Sequence, residues 1–244
     1  MCKRKASISV VMPVYNEAKL LRPAVEEVEA FMSAHFETHE ILIIESGSTD
    51  GTDEQCDELA SRYEYVRVIH EGGRNGFGSA LKIGYRNAKH DYCWLVTADI
   101  PFPLEAILEA EALLGEVDFV ISYRSQDKRV WTRRVQSLGY NILVRLWFGI
   151  RVKCINSAFK LLPTAVMAQM PLISNFWFID AEILYRLIYA GYSYKEIGVP
   201  LIDRAQGTSS VASNAFVKML AEMRDFARIR NTITDLRGER RNDT

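Results

Sequence analysis

The 244-residue chain has no apolar run approaching the roughly 18 residues that a membrane-spanning helix needs; its strongest runs, Ile41–Ile44 and Tyr92–Val96, are of strand length. A transmembrane helix is therefore not expected. The basic start, Met1-Cys2-Lys3-Arg4-Lys5, runs into polar and charged residues instead of a signal-peptide core. Cysteine is scarce. Cys2, Cys56, Cys93 and Cys154 stand far apart with no CxxC pair, which argues against disulfides and zinc and for free, mostly buried thiols in a reducing, cytosolic compartment. His35, His39, His70 and His90 show no metal or catalytic spacing. The absence of a GxxxxGK[ST] loop argues against a P-loop nucleotidase, and Gly76-Phe77-Gly78 lacks the third glycine of a dinucleotide fingerprint. Excess charge is lacking too: 30 basic residues meet 31 acidic ones, which argues against a nucleic-acid partner. Disorder is excluded by an apolar fraction of 48%.

The sequence does contain strands alternating with amphipathic helices. Ser7–Pro13, Glu40–Ile44, Val66–His70, Tyr92–Val96 and Phe119–Ser122 read as strands. Between them, Glu17–His35, the stretch carrying Cys56 and Leu59, the stretch from Gly78 through Ala88, and Glu105–Leu114 follow a helical period, with Thr52 or Asp50 as a cap for the second. This alternation predicts an α/β fold with a mostly parallel, doubly wound sheet and helices on both faces. Ligands in such sheets bind beyond the carboxyl ends of the strands, which singles out 13–17, 45–52, 72–78 and 97–103. The second half reads as long helices at Trp131–Phe148, Ala181–Ala190 and Asn214–Arg230, ending in a polar tail.

The near-zero net charge conceals an uneven distribution. Residues 15–62 hold twelve acidic against three basic residues, a net of −9, whereas residues 124–151 hold seven basic residues against Asp127, a net of +6. Trp131, Leu138, Ile142, Leu143, Leu146, Trp147 and Phe148 lie among arginines in the basic segment. Phe216, Leu220, Met223 and Ala227 lie beside Arg224, Arg228 and Arg230. Basic, aromatic, amphipathic helices suit an anionic lipid interface, although helices packed on a sheet produce similar stripes.

The ordered strand-end segments are Pro13-Val14-Tyr15-Asn16-Glu17, Glu45-Ser46-Gly47-Ser48-Thr49-Asp50, Asn75-Gly76-Phe77-Gly78 and Thr97-Ala98-Asp99. Further on come Tyr123-Arg124, Arg133…Ser137, Phe178-Ile179-Asp180-Ala181-Glu182 and Asp203-Arg204. Together, over roughly residues 7–212, they resemble the family-2 inverting glycosyltransferases of GT-A fold, in particular the dolichol-phosphate mannose synthase and polyprenyl-phosphate hexosyltransferase branch. The resemblance implies a GT-A domain over 1–212, with a nucleotide-sugar half at 7–122 and an acceptor half at 123–212, followed by an amphipathic helix and tail at 213–244.

It also implies roles. Pro13, Tyr15, Glu17 and Ala98 would line the donor pocket, Glu45 would accept hydrogen bonds from the nucleobase, and Gly76 and Gly78 would let the backbone approach the ligand. Asp99 would hold Mg²⁺ or Mn²⁺ on the diphosphate. Arg124, Arg133 and Ser137 would grip an acceptor phosphate, Arg204 would face the donor phosphates, and Asp180 or Glu182 would act as base for an alcohol acceptor. The expected reaction moves a hexose from GDP-mannose or a UDP-hexose to a polyprenyl phosphate at the cytosolic membrane face, through peripheral membrane contact by the amphipathic helices or through a membrane-protein partner. The chain departs from the family pattern at Ser46, Thr97 and Pro101, where carboxylates or polar ligands are usual, so metal binding should be weakened or dispensable. A hydroxyl acceptor and a non-catalytic nucleotide-sugar-binding module are the alternatives.

Overall fold

A computed structural model describes residues 4–126, 131–202 and 215–230, without the side chains of residues 132, 133 and 215–217. The elements in chain order are β1 (Ile8–Val14), α1 (Leu21–His35), β2 (His39–Glu45), α2 (Thr52–Arg62), β3 (Val66–His70), α3 (Phe77–Asn87), β4 (Tyr92–Leu95) and α4 (Ala106–Ala112). These are followed by β5 (Phe119–Arg124), α5 (Trp131–Phe148), β6 (Lys160–Pro163), α6 (Thr164–Gln169), α7 (Ile179–Tyr189), β7 (Tyr194–Val199) and α8 (Ala215–Ile229).

The strands form a seven-stranded sheet in the order β3-β2-β1-β4-β6-β5-β7. All neighbouring pairs are parallel except those of β6, which runs antiparallel between β4 and β5. The expected α/β architecture is therefore observed. β1 is flanked on both sides, and its residues are buried except for half-buried Pro13, as expected for a parallel strand covered on both faces. Pro13 lacks an N–H, but the β1–β4 register ends at Val11–Leu95, so no bond is lost to β4 at that point.

Alternation along β1 divides the core. Val10 and Met12 enter one cluster with Val25 and Val28 of α1 and Cys56 of α2, while Val11 enters the other with Leu81 of α3 and Ile183 of α7. That second cluster also takes in Met219, Met223 and Phe226 of α8, and Phe226 packs against Phe148, Phe178 and Tyr185. The C-terminal helix is thus part of the sheet's own core. This corrects the lipid-facing expectation for Met223, which has no exposed surface.

α5 behaves differently. It buries Tyr140, Val144 and Phe148 but leaves Trp131 (73%), Val135 (56%), Leu138 (58%) and Leu146 (78%) open, together with Ile142 and Trp147. Spacings of three, four and seven residues put most of these on one stripe. Exposed Arg134 and Arg145 lie on the same helix, whose sequence holds no acidic residue. Among the described residues, no helix is long and apolar enough to cross a membrane.

Candidate active site

The loops after β1, β2, β3 and β4 meet at the carboxyl edge of the sheet. The first two are stitched together. Asn16 adopts a positive φ of 54°, and its amide donates to Ser48 Oγ at 3.0 Å while the Thr49 amide donates to Asn16 Oδ1 at 2.9 Å. The Glu17 amide donates to Thr52 Oγ1, and the Ala18 amide donates to Asp50 Oδ2. Asp50 also accepts the Thr52 amide at 3.1 Å, but the N-cap of α2 is Gly51, in the left-handed region with no side-chain capping bond, so neither Thr52 nor Asp50 is the cap expected there. Burial would raise the Asp50 pKa, but these hydrogen bonds hold it below its ordinary value.

Glu45 does not offer the free carboxylate expected of a nucleobase reader. It is buried at 2% exposure, Oε1 accepts the Ser48 amide at 2.6 Å, and Oε2 lies 3.0 Å from His70 Nδ1. Burial opposes its ionisation, yet the hydrogen bonds from Ser48 and His70 bring its pKa below the ordinary value. On the other side of the His70 ring, Nε2 lies 3.1 Å from Asp57 Oδ1. Two flanking carboxylates favour the doubly protonated imidazole, and hydrogen bonds first to Asp57 and then to Glu45 raise its pKa. Glu45 is thus a structural anchor tying the end of β2 to β3 and α2. Beside it, Ser46 Oγ donates to Glu71 Oε2 at 2.8 Å, and Ser79 Oγ donates to Glu71 Oε1.

Gly76 and Gly78 also require correction. A Cβ on Gly76 would stand 2.4 Å from the Asn175 carbonyl oxygen, and one on Gly78 would meet the backbone of Ser174, Asn175 and Phe176 within 3 Å. The Ser79 amide donates to that Asn175 oxygen at 3.2 Å. These glycines therefore admit the protein's own 174–176 segment against the start of α3. Ala98 is 5% exposed and packs into the first core cluster, so its side chain does not line the crevice.

Asp99 is exposed and accepts the Thr97 hydroxyl at 2.5 Å, so Thr97 orients the carboxylate that follows it. Ile100, a β-branched residue at a φ of 36°, turns the chain immediately after Asp99. Asp99 and Asp50 are close enough to Glu17 to act on it: burial first, and then their negative charges, raise the Glu17 pKa. Among the described residues, no group of three or more His, Cys, Asp or Glu side chains is arranged to hold a metal ion. One exposed carboxylate with others nearby fits a hard divalent cation completed by phosphate oxygens and water. Tyr15 carries the Arg74 guanidinium over its ring, 4.3 Å from the centroid. No sequence spacing pointed to Arg74.

The second half brings Arg124 and Ser137 together. Arg124 leaves the end of β5 and donates from Nη1 to Ser137 Oγ at 3.3 Å and to Cys154 Sγ at 3.1 Å, and from Nη2 to the Asn156 carbonyl at 2.9 Å. Arg133 lies on α5 one turn before Ser137, but its side chain is outside the described residues, as are Asp203 and Arg204 entirely.

Asp180 is buried on α7, with Oδ1 3.1 Å from Lys160 Nζ. Lys160 also donates to the Ser157 carbonyl. Burial raises the Asp180 pKa, which Lys160 partly offsets. Glu182 is fully buried, ion-paired with Arg186 at 2.8 Å, and accepts the Ile173 and Ser174 amides. Neither carboxylate is exposed to an acceptor, so the expectation that one of them acts as base is corrected to that of core ion pairs.

Comparison with known proteins identifies the family of the chain. Residues 9–170 match the family described as Glycosyl transferase family 2. The chain is 30% identical over 204 residues to Glycosyltransferase AglD of Haloferax volcanii, covering 79% of this chain and 32% of that protein. It is 26% identical over 220 residues to the dolichyl-phosphate beta-glucosyltransferase of Saccharomyces cerevisiae, covering 79% of this chain and 66% of the yeast enzyme. The chain thus spans less than two-thirds of either relative. Among solved structures, mannosyl-3-phosphoglycerate synthase from Rubrobacter xylanophilus superposes with a TM-score of 0.70 at 19% identity, covering 93% of this chain and 75% of that one.

Proposed function

Because the chain belongs to glycosyl transferase family 2, and is therefore a glycosyltransferase, we propose that it moves a hexose from a nucleoside-diphosphate sugar to a polyprenyl phosphate at a membrane surface. The observation that carries the acceptor reading is the Arg124–Ser137 pair, 3.3 Å apart, beside an α5 that exposes an apolar stripe and has no acidic residue. Arginine and a hydroxyl converging at one helix face suit a phosphate, and the stripe suits the lipid attached to it. The name of the yeast relative, a dolichyl-phosphate beta-glucosyltransferase, supports the same acceptor class.

A phosphate monoester is largely dianionic at neutral pH and needs no strong base. One of its oxygens attacks the anomeric carbon, the bond from that carbon to the diphosphate oxygen breaks in line, and the nucleoside diphosphate departs with inversion. This chain's residues act by positioning. Arg124, with Ser137 and Arg133, holds the incoming phosphate, and the stitched 16–18 and 48–52 loops fix the donor crevice. Asp99, oriented by Thr97, would hold Mg²⁺ or Mn²⁺ together with the diphosphate, and that cation would neutralise charge developing on the leaving group. Arg204 is proposed to face the same phosphates. The buried state of Asp180 and Glu182 favours a phosphate acceptor, which needs no base, over an alcohol, which does.

The membrane surface can be tested separately from turnover. Wild-type protein is expected to cosediment with vesicles containing phosphatidylserine. The double variant Leu138→Glu/Leu146→Glu, altered at positions exposed in the free protein, should bind at least about tenfold more weakly, since each change removes an apolar side chain whose insertion into the lipid interface would contribute more than about 1 kcal/mol. Equal binding by both proteins, or none by the wild type, would contradict α5 as the lipid-facing element.

A further inference from the structure

The connection between α6 and α7, residues 170–178, belongs to no strand, so its backbone groups must find partners outside the sheet. Two carboxylates take most of its amides. Fully buried Glu182 of α7 accepts the Ile173 amide at 3.0 Å and the Ser174 amide at 2.8 Å. Half-buried Glu222 of α8 accepts the next two, with Oε1 2.6 Å from the Asn175 amide and 2.8 Å from the Phe176 amide, and its Oε2 lies 3.4 Å from the Phe178 amide. Glu182 stands on the helix that follows directly. Glu222 comes from 44 residues beyond Phe178, so the shape of 175–178 depends on the docking of α8. Met219, Met223 and Phe226 explain how α8 packs on the core, and none of them requires a carboxylate at 222.

What this segment bears on is the start of α3. Gly76 and Gly78 leave no room for a Cβ beside it, the Asn175 carbonyl accepts the Ser79 amide at 3.2 Å, and the Asn175 side chain accepts from Lys82 Nζ. The Trp177 ring stacks on that of Phe77, the first residue of α3, with 4.9 Å between centroids and 18° between planes. From the other side, the Lys218 ammonium of α8 lies 4.4 Å from the Phe176 ring centroid. Residues 175–178 therefore form a strap. One edge presses on α3 where it leaves the β3 loop, at the carboxyl edge of the sheet, and the other is held by α8. The strap joins the half of the chain that carries Asp99 to the half that carries Arg124.

Resting on the reading of this crevice as a glycosyl-transfer site, we infer that Glu222 is a positioning residue for the reaction: it holds the 175–178 strap against α3 and so fixes the placement of the donor half relative to the phosphate-binding half. The proposed donor contacts lie on other segments, at Asp99 and in the 16–18 and 48–52 loops. A slack strap therefore leaves donor affinity nearly intact while removing the alignment that in-line attack requires. A carboxylate suits the task, because a hydrogen bond to a charged acceptor is roughly twice as strong as one to a neutral acceptor. Glutamine at this position keeps an oxygen for the Asn175 and Phe176 amides. Leucine keeps the bulk and none of the acceptors.

The test combines amide hydrogen exchange with transfer kinetics on the full chain, for the wild type, Glu222→Leu, Glu222→Gln and Gly78→Ala. Gly78→Ala disturbs the strap from its other side, since the added Cβ would stand 2.8 Å from the Asn175 carbonyl carbon, while alanine suits the helix itself. In Glu222→Leu and Gly78→Ala, exchange over 175–178 should accelerate about tenfold or more while the sheet amides stay protected. In both, kcat for transfer to polyprenyl phosphate should fall about 10- to 100-fold, with the KM for the nucleotide sugar changing by less than about threefold. Glu222→Gln should stay within about threefold of the wild type in exchange and in kcat. Exchange accelerated equally across the sheet in Glu222→Leu would make Glu222 a structural residue and overturn the assignment. So would a strap as well protected in that variant as in the wild type, or an unchanged kcat in a variant whose strap exchanges freely. A folded wild type that transfers no hexose would remove the transfer reading and this inference with it. Transfer by the wild type with kcat unchanged in Glu222→Leu bears on Glu222 alone.

Discussion

Replacing Asp99 with asparagine is expected to lower turnover on a nucleoside-diphosphate sugar by about 100-fold or more, the usual effect of removing one preorganised group that stabilises charge in the transition state. The substitution keeps the size of the side chain and its ability to accept from Thr97, whose hydroxyl lies 2.5 Å from Oδ1. Asp99 is exposed, so stability should change little. What is lost is negative charge at the end of β4. Burial and the charges of Asp99 and Asp50 raise the Glu17 pKa, so the variant should let that pKa fall. A chelator should inhibit the wild-type enzyme and have little further effect on the variant. Full activity in Asp99→Asn, together with indifference to chelator, would remove both Asp99 and the cation from the mechanism.

The largest effect on stability is expected at Lys160. Its ammonium lies 3.1 Å from Asp180, and both side chains are buried. Lys160→Met should destabilise the protein by about 3–5 kcal/mol at neutral pH, because an uncompensated carboxylate remains in the core. Burial already raises the Asp180 pKa, and losing Lys160 raises it further. A carboxyl with a raised folded-state pKa favours the native state at low pH and opposes it as pH rises through that value, so the deficit should shrink on acidification. The double variant Lys160→Met/Asp180→Leu should recover most of the loss, since a buried ion pair replaced by apolar groups is often close to neutral. Urea unfolding of the three proteins measures this. Recovered stability with activity retained in the double variant would fit a structural pair. Recovered stability with turnover abolished would instead return Asp180 to catalysis.

Much of the fold was legible because burial writes strong patterns. Central β1 and β2 are covered on both faces and read as continuous apolar runs, and α5 spans Trp131–Phe148 as its periodicity suggested. β6 and β7 were not legible. β6 is four residues long and begins with buried Lys160, and β7 lies at the sheet edge, where Lys195 and Gly198 are exposed and only Ile197 and Val199 are buried. α8 was misread for the opposite reason: its arginines suggested an interface, while Met223 and Phe226 carry the packing.

At the site, the strand-end positions of Tyr15, Glu45 and Asp99 followed from the pattern, but partnership did not. Nothing in the spacing indicated that His70 would reach Glu45 from the neighbouring strand, or that Arg74 would settle on Tyr15. Contacts between separate loops depend on how the strands are ordered, which local sequence does not encode. The glycines illustrate the same limit. Gly76 and Gly78 signalled a close approach correctly, but the partner is the chain's own 174–176 segment.

The most direct measurement is transfer of labelled hexose by the full chain in anionic vesicles, with GDP- and UDP-sugars as donors and a polyprenyl phosphate or the matching polyprenol as acceptor. The expected result is a lipid-linked sugar formed with the phosphate and not with the alcohol, with Arg124→Ala raising the apparent KM for polyprenyl phosphate at least about tenfold, as for loss of a charge-assisted hydrogen bond, and that for the donor far less. Product formed only with the polyprenol, or nucleotide-sugar binding with no transfer to either acceptor, would contradict it.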